Sequence, residues 1–484
     1  MDSKTLAIAA ILGIPLIGIC PAHAGVVADG PQSFSQLSSL GKVLRNAEQN
    51  KQTVHILYVH GMGYVPLDDG DSKSFREGIC RLLPGCQLPS GRPPRDYADK
   101  GRFADKAPVP VYEYLGKPVW TDAPQWNASA PYVDHYVLRL RNGGSIVVDD
   151  INWWPLVLPL KCRVIMADDA RLAGPDPALI NLCAKATTPD ARYSGRFLSY
   201  QWLNLKDAGN PQARPKRGAL LNRTIKGSVL DWGFADAMMA LGSMHDLFRE
   251  GMRQLFVKSA RFHADGSSTD EWVQQAARRA PDREFIAVTH SLGSYLVFST
   301  LNPDTGETKT VNYKQPETAA DREDLAAQYI LARTSLIYFF ANQVSLLELA
   351  NLELANVGGE KPSPTEPAAS VPATPGPSGN AMPGNSFVKQ LKTWKTLRQD
   401  FTGKLPSTTS KPQFVAWSDP SDLLSWYVPA IEETDVVNLY VRNSWWHWIF
   451  ADPTTAHDGY ANNLHVLRTM LDLEKPTEIK RGRE

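Results

Sequence analysis

The sequence predicts an α/β fold, because short buried strands alternate with helical segments along the chain. The segment 285–288 is an uninterrupted apolar run of the kind that forms a strand buried on both faces. A turn follows it at once, and the run that begins at 295–298 is typical of a helix. Further apolar strands are predicted at 54–59, 412–417 and 436–441.

The turn after the strand 285–288 carries a candidate nucleophile. It reads Thr289-His290-Ser291-Leu292-Gly293, which places a serine between a buried strand and a helix. A sharp turn of this kind pushes the serine side chain out of the sheet and needs small residues around it. Gly293 meets this need, whereas Thr289 stands where the usual pattern has a glycine. A serine that only caps the helix is the alternative interpretation.

A second turn follows the strand predicted at 54–59, and it reads His60-Gly61-Met62-Gly63. Glycines let the backbone curl so that an amide can face a substrate oxygen, as the donors of an oxyanion hole must do. An ordinary glycine turn after a strand is the alternative.

Together the two turns resemble those of the α/β-hydrolase family, and within it the lipases and esterases with a His-Ser-Leu-Gly turn. The resemblance covers most of residues 50–475. It implies the α/β-hydrolase fold, with a mostly parallel central sheet and helices on both faces. It also implies a catalytic triad in the chain order serine, acid, histidine, with Ser291 as the nucleophile. The amides of Leu292 and of Gly61-Met62-Gly63 are then expected to form the oxyanion hole.

The same resemblance assigns Asp422 as the catalytic acid and His457 as the base, because each follows a late strand. Asp422 precedes apolar residues, as in the acid loop of the family, and Asp419 stays open as the alternative acid. Two further histidines are less suited to the role. His447 lies among tryptophans, and His465 lies within the predicted final helix.

The predicted function is the hydrolysis of carboxylic esters, including lipid esters, through an acyl-enzyme intermediate. A small-molecule or lipid ester is the expected partner, and a membrane surface is left open as a further contact. The chemistry requires no metal ion and no organic cofactor, and the sequence identifies no protein partner. An acyltransferase or a thioesterase would use the same triad. A non-catalytic binding or scaffold protein with this fold is the alternative outside catalysis.

The charge balance argues against one class of partner. The 484 residues include 51 Lys+Arg and 51 Asp+Glu, so the formal net charge is zero. Without a basic field, we expect no binding of nucleic acid.

The N-terminus predicts export to the periplasm or the medium. Residues 1–24 form a candidate signal peptide, with an apolar run over 6–20 and an Ala-x-Ala cleavage site at 22–24. An uncleaved membrane anchor is the alternative, and no other run is long and apolar enough to span a membrane.

Four cysteines remain after removal of the signal peptide, and an even number in an exported chain predicts disulfides. Three pairings are open, and Cys80–Cys86 with Cys162–Cys183 is favoured because each bond joins nearest neighbours.

Residues 25–484 are predicted to form a single domain. It contains an irregular surface excursion at 84–130 and a flexible insertion at 358–386, which is rich in proline and lacks the apolar residues needed for packing. A hairpin is predicted at 132–148.

Helices are predicted at 227–260, 271–279 and 334–355. A final helix, which includes Tyr460, is predicted to follow His457 with Asp458 as its N-cap.

Overall fold

The computed structural model describes most of the predicted sheet and the helices around it. The described residues are 27–29, 39–62, 71–99, 131–157, 234–242, 244–267, 283–301, 319–347, 391, 394–399, 412–428, 434–444 and 453–478.

Ten strands form one mixed sheet in the described part of the chain. They are β1 (Val27–Asp29), β2 (Thr53–Val59), β3 (Arg95–Tyr97), β4 (Tyr132–Arg139), β5 (Ser145–Asn152), β6 (Arg283–His290), β7 (Thr334–Phe340), β8 (Gln413–Ser418), β9 (Asp435–Tyr440) and β10 (Thr477–Glu478). Their spatial order is β10-β1-β9-β8-β7-β6-β2-β5-β4-β3. The six neighbouring strands from β9 to β5 in that order are all parallel. Their carboxyl ends therefore lie along one edge of the sheet, where ligand sites of α/β proteins are found.

Helices cover both faces of this sheet. They are α1 (Leu40–Asn50), α2 (Asp71–Leu82), α3 (Ala235–Leu241), α4 (His245–Arg261), α5 (Leu292–Thr300), α6 (Ala319–Arg333), α7 (Val344–Leu347), α8 (Pro453–Asp458) and α9 (Leu464–Met470). Along β2, Leu57 and Val59 belong to a core cluster with α4, α5 and α6, whereas Ile56 and Tyr58 belong to a second cluster with α1, α2 and α9. Since successive side chains of a strand point to opposite faces, the two clusters lie on opposite sides of the sheet.

The α/β class predicted from the sequence is confirmed. The strands expected at 54–59, 285–288, 412–417 and 436–441 correspond to β2, β6, β8 and β9. The expected hairpin is formed by β4 and β5, which pair in antiparallel register. Helix α5 follows β6 after a single intervening residue, as the turn sequence predicts.

The helix predicted over 334–355 is wrong in its first part. Residues Thr334–Phe340 form β7, which lies between β6 and β8 and is buried at every position. An unbroken apolar run gives the same pattern in a buried helix and in a buried strand, and the aromatic residues of this run favour the strand. The chain then turns at Ala341, which has a φ of 51°. Within the described part of this segment, the helical residues are Val344–Leu347.

The single helix predicted over 227–260 is divided in the described residues. Helix α3 ends at Leu241 and α4 begins at His245. Gly242 lies at the C-cap of α3, and its N–H donates to the carbonyl oxygen of Met238 over 3.0 Å. The apolar spacing predicts one helix over this segment and does not reveal the break.

The predicted capping role of Asp458 is also wrong. Asp458 is the last residue of α8. The N-cap of α9 is Asn463, whose side chain accepts a hydrogen bond from the N–H of His465 over 2.9 Å. Tyr460 lies in a 3-10 turn between the two helices.

The described part of the excursion predicted over 84–130, residues 84–99, is mostly irregular and contains one short strand. Its strand β3 pairs with β4 at one edge of the sheet. The predicted Cys80–Cys86 disulfide is confirmed and ties the end of α2 to the start of this excursion.

Several predicted features lie outside the described residues. They are the signal peptide 1–24, the Cys162–Cys183 disulfide, the helix at 271–279, the insertion at 358–386, His447 and Gly63. Among the helices that the structure describes, none is long and apolar enough to cross a membrane.

Candidate active site

Ser291 occupies a strained turn at the carboxyl end of β6. Its backbone has φ 53° and ψ −124°, in a region that residues other than glycine rarely adopt. Its N–H donates to the carbonyl oxygen of Phe340 on the neighbouring strand β7 over 2.8 Å. The turn is therefore fixed to the sheet on one side and continues into α5 on the other, which is the geometry of a nucleophile elbow.

Two glycines allow the elbow to pack against the loop after β2. A Cβ atom at Gly293 would lie 2.3 Å from the carbonyl oxygen of Val59 and 2.7 Å from that of His60. A Cβ atom at Gly61 would lie 2.7 Å from the Cβ of Ser291. Because these distances are too short for a side chain, both positions require glycine. The loop predicted to form the oxyanion hole thus lies directly beside the serine.

Thr289 fits the position where the usual motif has a glycine. Its side chain is buried, and its hydroxyl donates to the carbonyl oxygen of Tyr338 over 3.2 Å. A threonine is accommodated here because its polar atom has a partner on β7.

The hydroxyl group of Ser291 is hydrogen-bonded to an amide side chain that the sequence did not connect with it. Nε2 of Gln343 lies 2.7 Å from Oγ of Ser291. Since Nε2 can only donate, the serine oxygen is the acceptor and its own proton remains available. The backbone N–H of Gln343 donates to Oγ of Ser294 over 3.3 Å, which fixes the loop after β7 to α5.

His457 and Asp422 form a hydrogen-bonded pair. Nδ1 of His457 lies 2.9 Å from Oδ1 of Asp422, and the aspartate side chain is 1% exposed. The other carboxylate oxygen accepts from the hydroxyl of Tyr460 over 3.1 Å. Because the carboxylate holds the proton on Nδ1, Nε2 is the nitrogen that can accept a further proton. His457 lies in the short helix α8, which follows β9.

The carboxylate of Asp419 binds backbone amides of its own loop and of a neighbouring loop. Its carboxylate accepts hydrogen bonds from the N–H groups of Ser421 over 2.7 Å, of Asn443 over 2.5 Å and of Ser444 over 3.3 Å. Of the two candidate acids, the structure brings Asp422 to the histidine and gives Asp419 a role in holding loops together.

The serine and the histidine are not hydrogen-bonded to each other in this structure. Among the hydrogen bonds of the described residues, Oγ of Ser291 pairs with Gln343 and the ring of His457 pairs with Asp422. Ser291 is also completely buried. A reaction at Oγ therefore requires the hydroxyl to rotate and the residues that cover it to move.

Comparison with known proteins gives no relative for this arrangement: no protein-family model, no curated protein and no solved structure matches the chain.

His290, the residue before the serine, bridges two parts of the site. Its Nδ1 lies 2.9 Å from a carboxylate oxygen of Asp71, the first residue of α2. Its Nε2 lies 2.8 Å from the carbonyl oxygen of His457. Burial alone would lower the pKa of His290, but the hydrogen bond and the charge of Asp71 outweigh burial and raise this pKa to about 9. Burial would raise the pKa of Asp71, yet the His290 bond and charge lower it below the usual value.

One group of side chains in the described residues has the spacing of a metal site. His290, His457 and Asp458 each offer a ligand atom, and these atoms lie within 4.8 Å of one another. Both nitrogens of His290 already form hydrogen bonds. We therefore assign the group to the hydrogen-bond network of the site.

The expected oxyanion-hole residues lie at two places around Ser291. Leu292 is buried. It is the first residue of α5, so its amide lies at the positive end of this helix. Gly61 and Met62 lie in the loop that packs on the elbow. Gly63 is outside the described residues.

Exposed apolar side chains lie in the loop after Asp422. Leu423 is 76% exposed, Trp426 is 45% exposed and Tyr427 is 51% exposed. Asn342 holds this loop near the elbow, because its carbonyl oxygen accepts from the N–H of Trp426 over 2.8 Å and its Nδ2 donates to the carbonyl oxygen of Trp426 over 3.1 Å.

Proposed function

We propose that this protein is a serine hydrolase with an α/β-hydrolase fold and that it cleaves carboxylic esters through an acyl-enzyme. The observation that carries the proposal is the backbone of Ser291, which is held at positive φ between the parallel strand β6 and α5. Such strain persists where the surrounding structure enforces it, and it is concentrated at active sites. Here it fixes the direction in which the serine side chain leaves the sheet.

The order of the site residues supports the same function. Ser291 follows β6, Asp422 follows β8 and His457 follows β9, all on parallel strands of one sheet. This is the chain order serine, acid, histidine that α/β-hydrolases use. The hydrogen bond between Asp422 and His457 supports the assignment of these two residues as acid and base.

In the proposed reaction, Oγ of Ser291 attacks the acyl carbon of the ester and its proton passes to Nε2 of His457. The charged imidazole is stabilised by Asp422. His457 then returns the proton to the leaving alcohol as the acyl C–O bond breaks. A water molecule attacks the acyl-enzyme with the same base, and its addition releases the carboxylic acid and restores the serine. The amides of Leu292 and of the loop after β2 are the proposed donors to the oxyanion.

The buried state of Ser291 adds a step to this cycle. The hydroxyl must leave Gln343 and turn toward His457 before it can lose its proton. Opening steps of this kind are common in enzymes that exclude water from their sites. In the proposed cycle, Gln343 holds the hydroxyl until substrate enters.

The exposed side chains of Leu423, Trp426 and Tyr427 support an apolar substrate. They lie on the loop that begins with the catalytic acid, so an acyl chain or a lipid surface would meet them close to the reacting atoms. The Cys80–Cys86 disulfide supports export, because disulfides persist in oxidising compartments.

A non-catalytic binding protein is the second candidate. Two observations favour it, namely the complete burial of Ser291 and the lack of a hydrogen bond between it and His457 among the described residues. Turnover separates the two candidates.

The test is hydrolysis of p-nitrophenyl esters of graded acyl length by three proteins. They are the wild type, Ser291→Ala and the control Ser299→Ala. The control removes a hydroxyl from α5, the helix that follows Ser291, where this hydroxyl donates to the carbonyl oxygen of Leu296. We expect turnover by the wild type and the control, and a loss of about 10⁴-fold or more in Ser291→Ala. Equal turnover by all three proteins, or none by any, would exclude the proposed serine chemistry on these esters.

A further inference from the structure

We propose that His290 and Asp71 form a positioning pair, in which the His290 ring holds the backbone of His457 in place beside the nucleophile. This inference rests on the proposed function, because it concerns how the catalytic base is held. Neither residue was expected to have a role from the sequence.

The hydrogen bonds of His290 identify its charge state without reference to its pKa. Nε2 of His290 faces the carbonyl oxygen of His457, and Nδ1 faces the carboxylate of Asp71. Both of these partners accept hydrogen bonds. Both nitrogens must therefore donate, and a histidine that donates twice is an imidazolium ion. The positive ring is paired with Asp71, so the buried charge has a partner.

The bond from His290 to His457 joins the two parts of the site. His290 is the last residue of β6 and directly precedes Ser291. His457 lies in α8, a helix of six residues, too short to hold a fixed position by itself. A bond from the rigid strand to the carbonyl oxygen of His457 fixes the backbone of the base relative to the serine.

Helix α8 has a second backbone attachment, at the residue before His457, so the role of His290 can be separated from that of holding the helix. Nδ2 of Asn443 donates to the carbonyl oxygen of Ala456 over 3.0 Å. The Asn443 bond ties α8 to the loop after β9, whereas the His290 bond ties it to the strand that carries the nucleophile. Loss of the His290 bond should therefore leave the helix attached and displace the base.

The pair should also give the enzyme an upper pH limit. The titratable groups that face His290 are Asp71 from α2, His457 and Asp458 from α8, and Tyr460 from the 3-10 turn after α8. His60 acts on Asp71 from the loop after β2. Above a pH of about 9 the ring loses a proton and can donate only one of its two hydrogen bonds. We therefore expect turnover to fall through this range.

The test compares His290→Gln with His465→Gln. His465 also pairs with a carboxylate, Glu474, over 2.7 Å, but in α9 away from the elbow. We expect His290→Gln to lower kcat roughly 10- to 100-fold with little change in KM, because displacement of a reacting group by about 1 Å has effects of this size. The decline of kcat near pH 9 should disappear in this variant and persist in His465→Gln. Equal kcat values and equal pH profiles for wild type and His290→Gln would overturn the inference.

Two further measurements keep the result interpretable. Nitrogen NMR of the wild-type histidines should show both ring nitrogens of His290 protonated up to a pH of about 9, whether or not the protein is an esterase. A neutral His290 ring at pH 7 would overturn the pair. If the wild type hydrolyses no ester and is not labelled by a fluorophosphonate, the proposed function fails instead. If His290→Gln does not fold, Asp71→Asn replaces it, and an unchanged decline near pH 9 in that variant would overturn the inference.

Discussion

Replacement of Asp422 by asparagine should cost the proposed enzyme less activity than an acid-to-amide change usually costs a triad. Oδ1 of Asp422 accepts two hydrogen bonds, from Nδ1 of His457 over 2.9 Å and from the N–H of Leu424 over 2.9 Å. Two donors at one position select the oxygen of an asparagine side chain and exclude its NH₂ group. The histidine should therefore keep the proton on Nδ1.

The amide NH₂ would then occupy the position of Oδ2, next to the hydroxyl of Tyr460. The oxygen of this hydroxyl already accepts from the N–H of Asp419 over 2.7 Å and has a second lone pair, so it can also accept from the amide once its own proton turns away. The substitution removes the negative charge and leaves the geometry. A hydrogen bond to a charged group stabilises by about 1.5–3 kcal/mol, which corresponds to roughly a 10- to 150-fold decrease in kcat/KM.

Asp419→Asn provides the contrast. Its carboxylate accepts from three backbone amides with both oxygens, so an NH₂ group must face at least one N–H donor. An unsatisfied buried donor costs about 1–3 kcal/mol. We expect Asp419→Asn to lower the free energy of unfolding by about this amount and to leave kcat/KM of the folded protein unchanged.

Steady-state kinetics with a p-nitrophenyl ester and urea unfolding measure both quantities. Loss of about 10⁴-fold in Asp422→Asn, equal to that of His457→Ala, would show that the amide is flipped and the histidine holds its proton on the wrong nitrogen. A larger kinetic effect for Asp419→Asn than for Asp422→Asn, with both proteins folded, would move the acid to Asp419.

Three further predictions concern the elbow and its surroundings. Gly293→Ala should destabilise the fold by about 3 kcal/mol in urea unfolding, because the new Cβ meets the carbonyl oxygens of Val59 and His60, which cannot move independently of β2; an unchanged midpoint would contradict the close packing of the two loops. Gln343→Ala removes the side chain that donates a hydrogen bond to the hydroxyl of Ser291, so we expect kcat to change with little effect on the thermal midpoint. Identical kinetics of the variant and the wild type would exclude a role for the bond between Gln343 and Ser291. The pKa of His290 is raised in the folded protein, so the contribution of its charge to stability should be complete below a pH of about 6.5 and lost as the pH rises through about 9. The difference in thermal midpoint between wild type and His290→Gln should therefore shrink over that interval. A constant difference would show that the ring is uncharged.

The parts of this fold with local signals could be predicted from the sequence. The elbow combines an apolar strand, a serine and a helix within about ten residues, and β6, Ser291 and α5 appear where expected. The strands β2, β8 and β9 are likewise marked by short apolar runs between polar segments.

The parts that depend on distant partners could not be predicted. The residues of β7 fit a helix as well as a strand, because a run that is buried on all sides has no periodicity that separates the two structures. A helix over 334–355 would include Gln343, so the sequence does not reveal its hydrogen bond to Ser291. The link between His290 and Asp71 has no signal in the sequence, because these residues are far apart in the chain and neither belongs to a sequence motif of the acid or the base.

The central claim is that Ser291 is a reactive nucleophile, and covalent labelling tests it most directly. Wild-type protein and Ser291→Ala are treated with a fluorophosphonate and examined by intact-mass and peptide mass spectrometry. We predict a single adduct on the wild type, located on the peptide that contains Ser291, and no adduct on Ser291→Ala. An unlabelled wild type that is folded, or equal labelling of the two proteins, would contradict the claim.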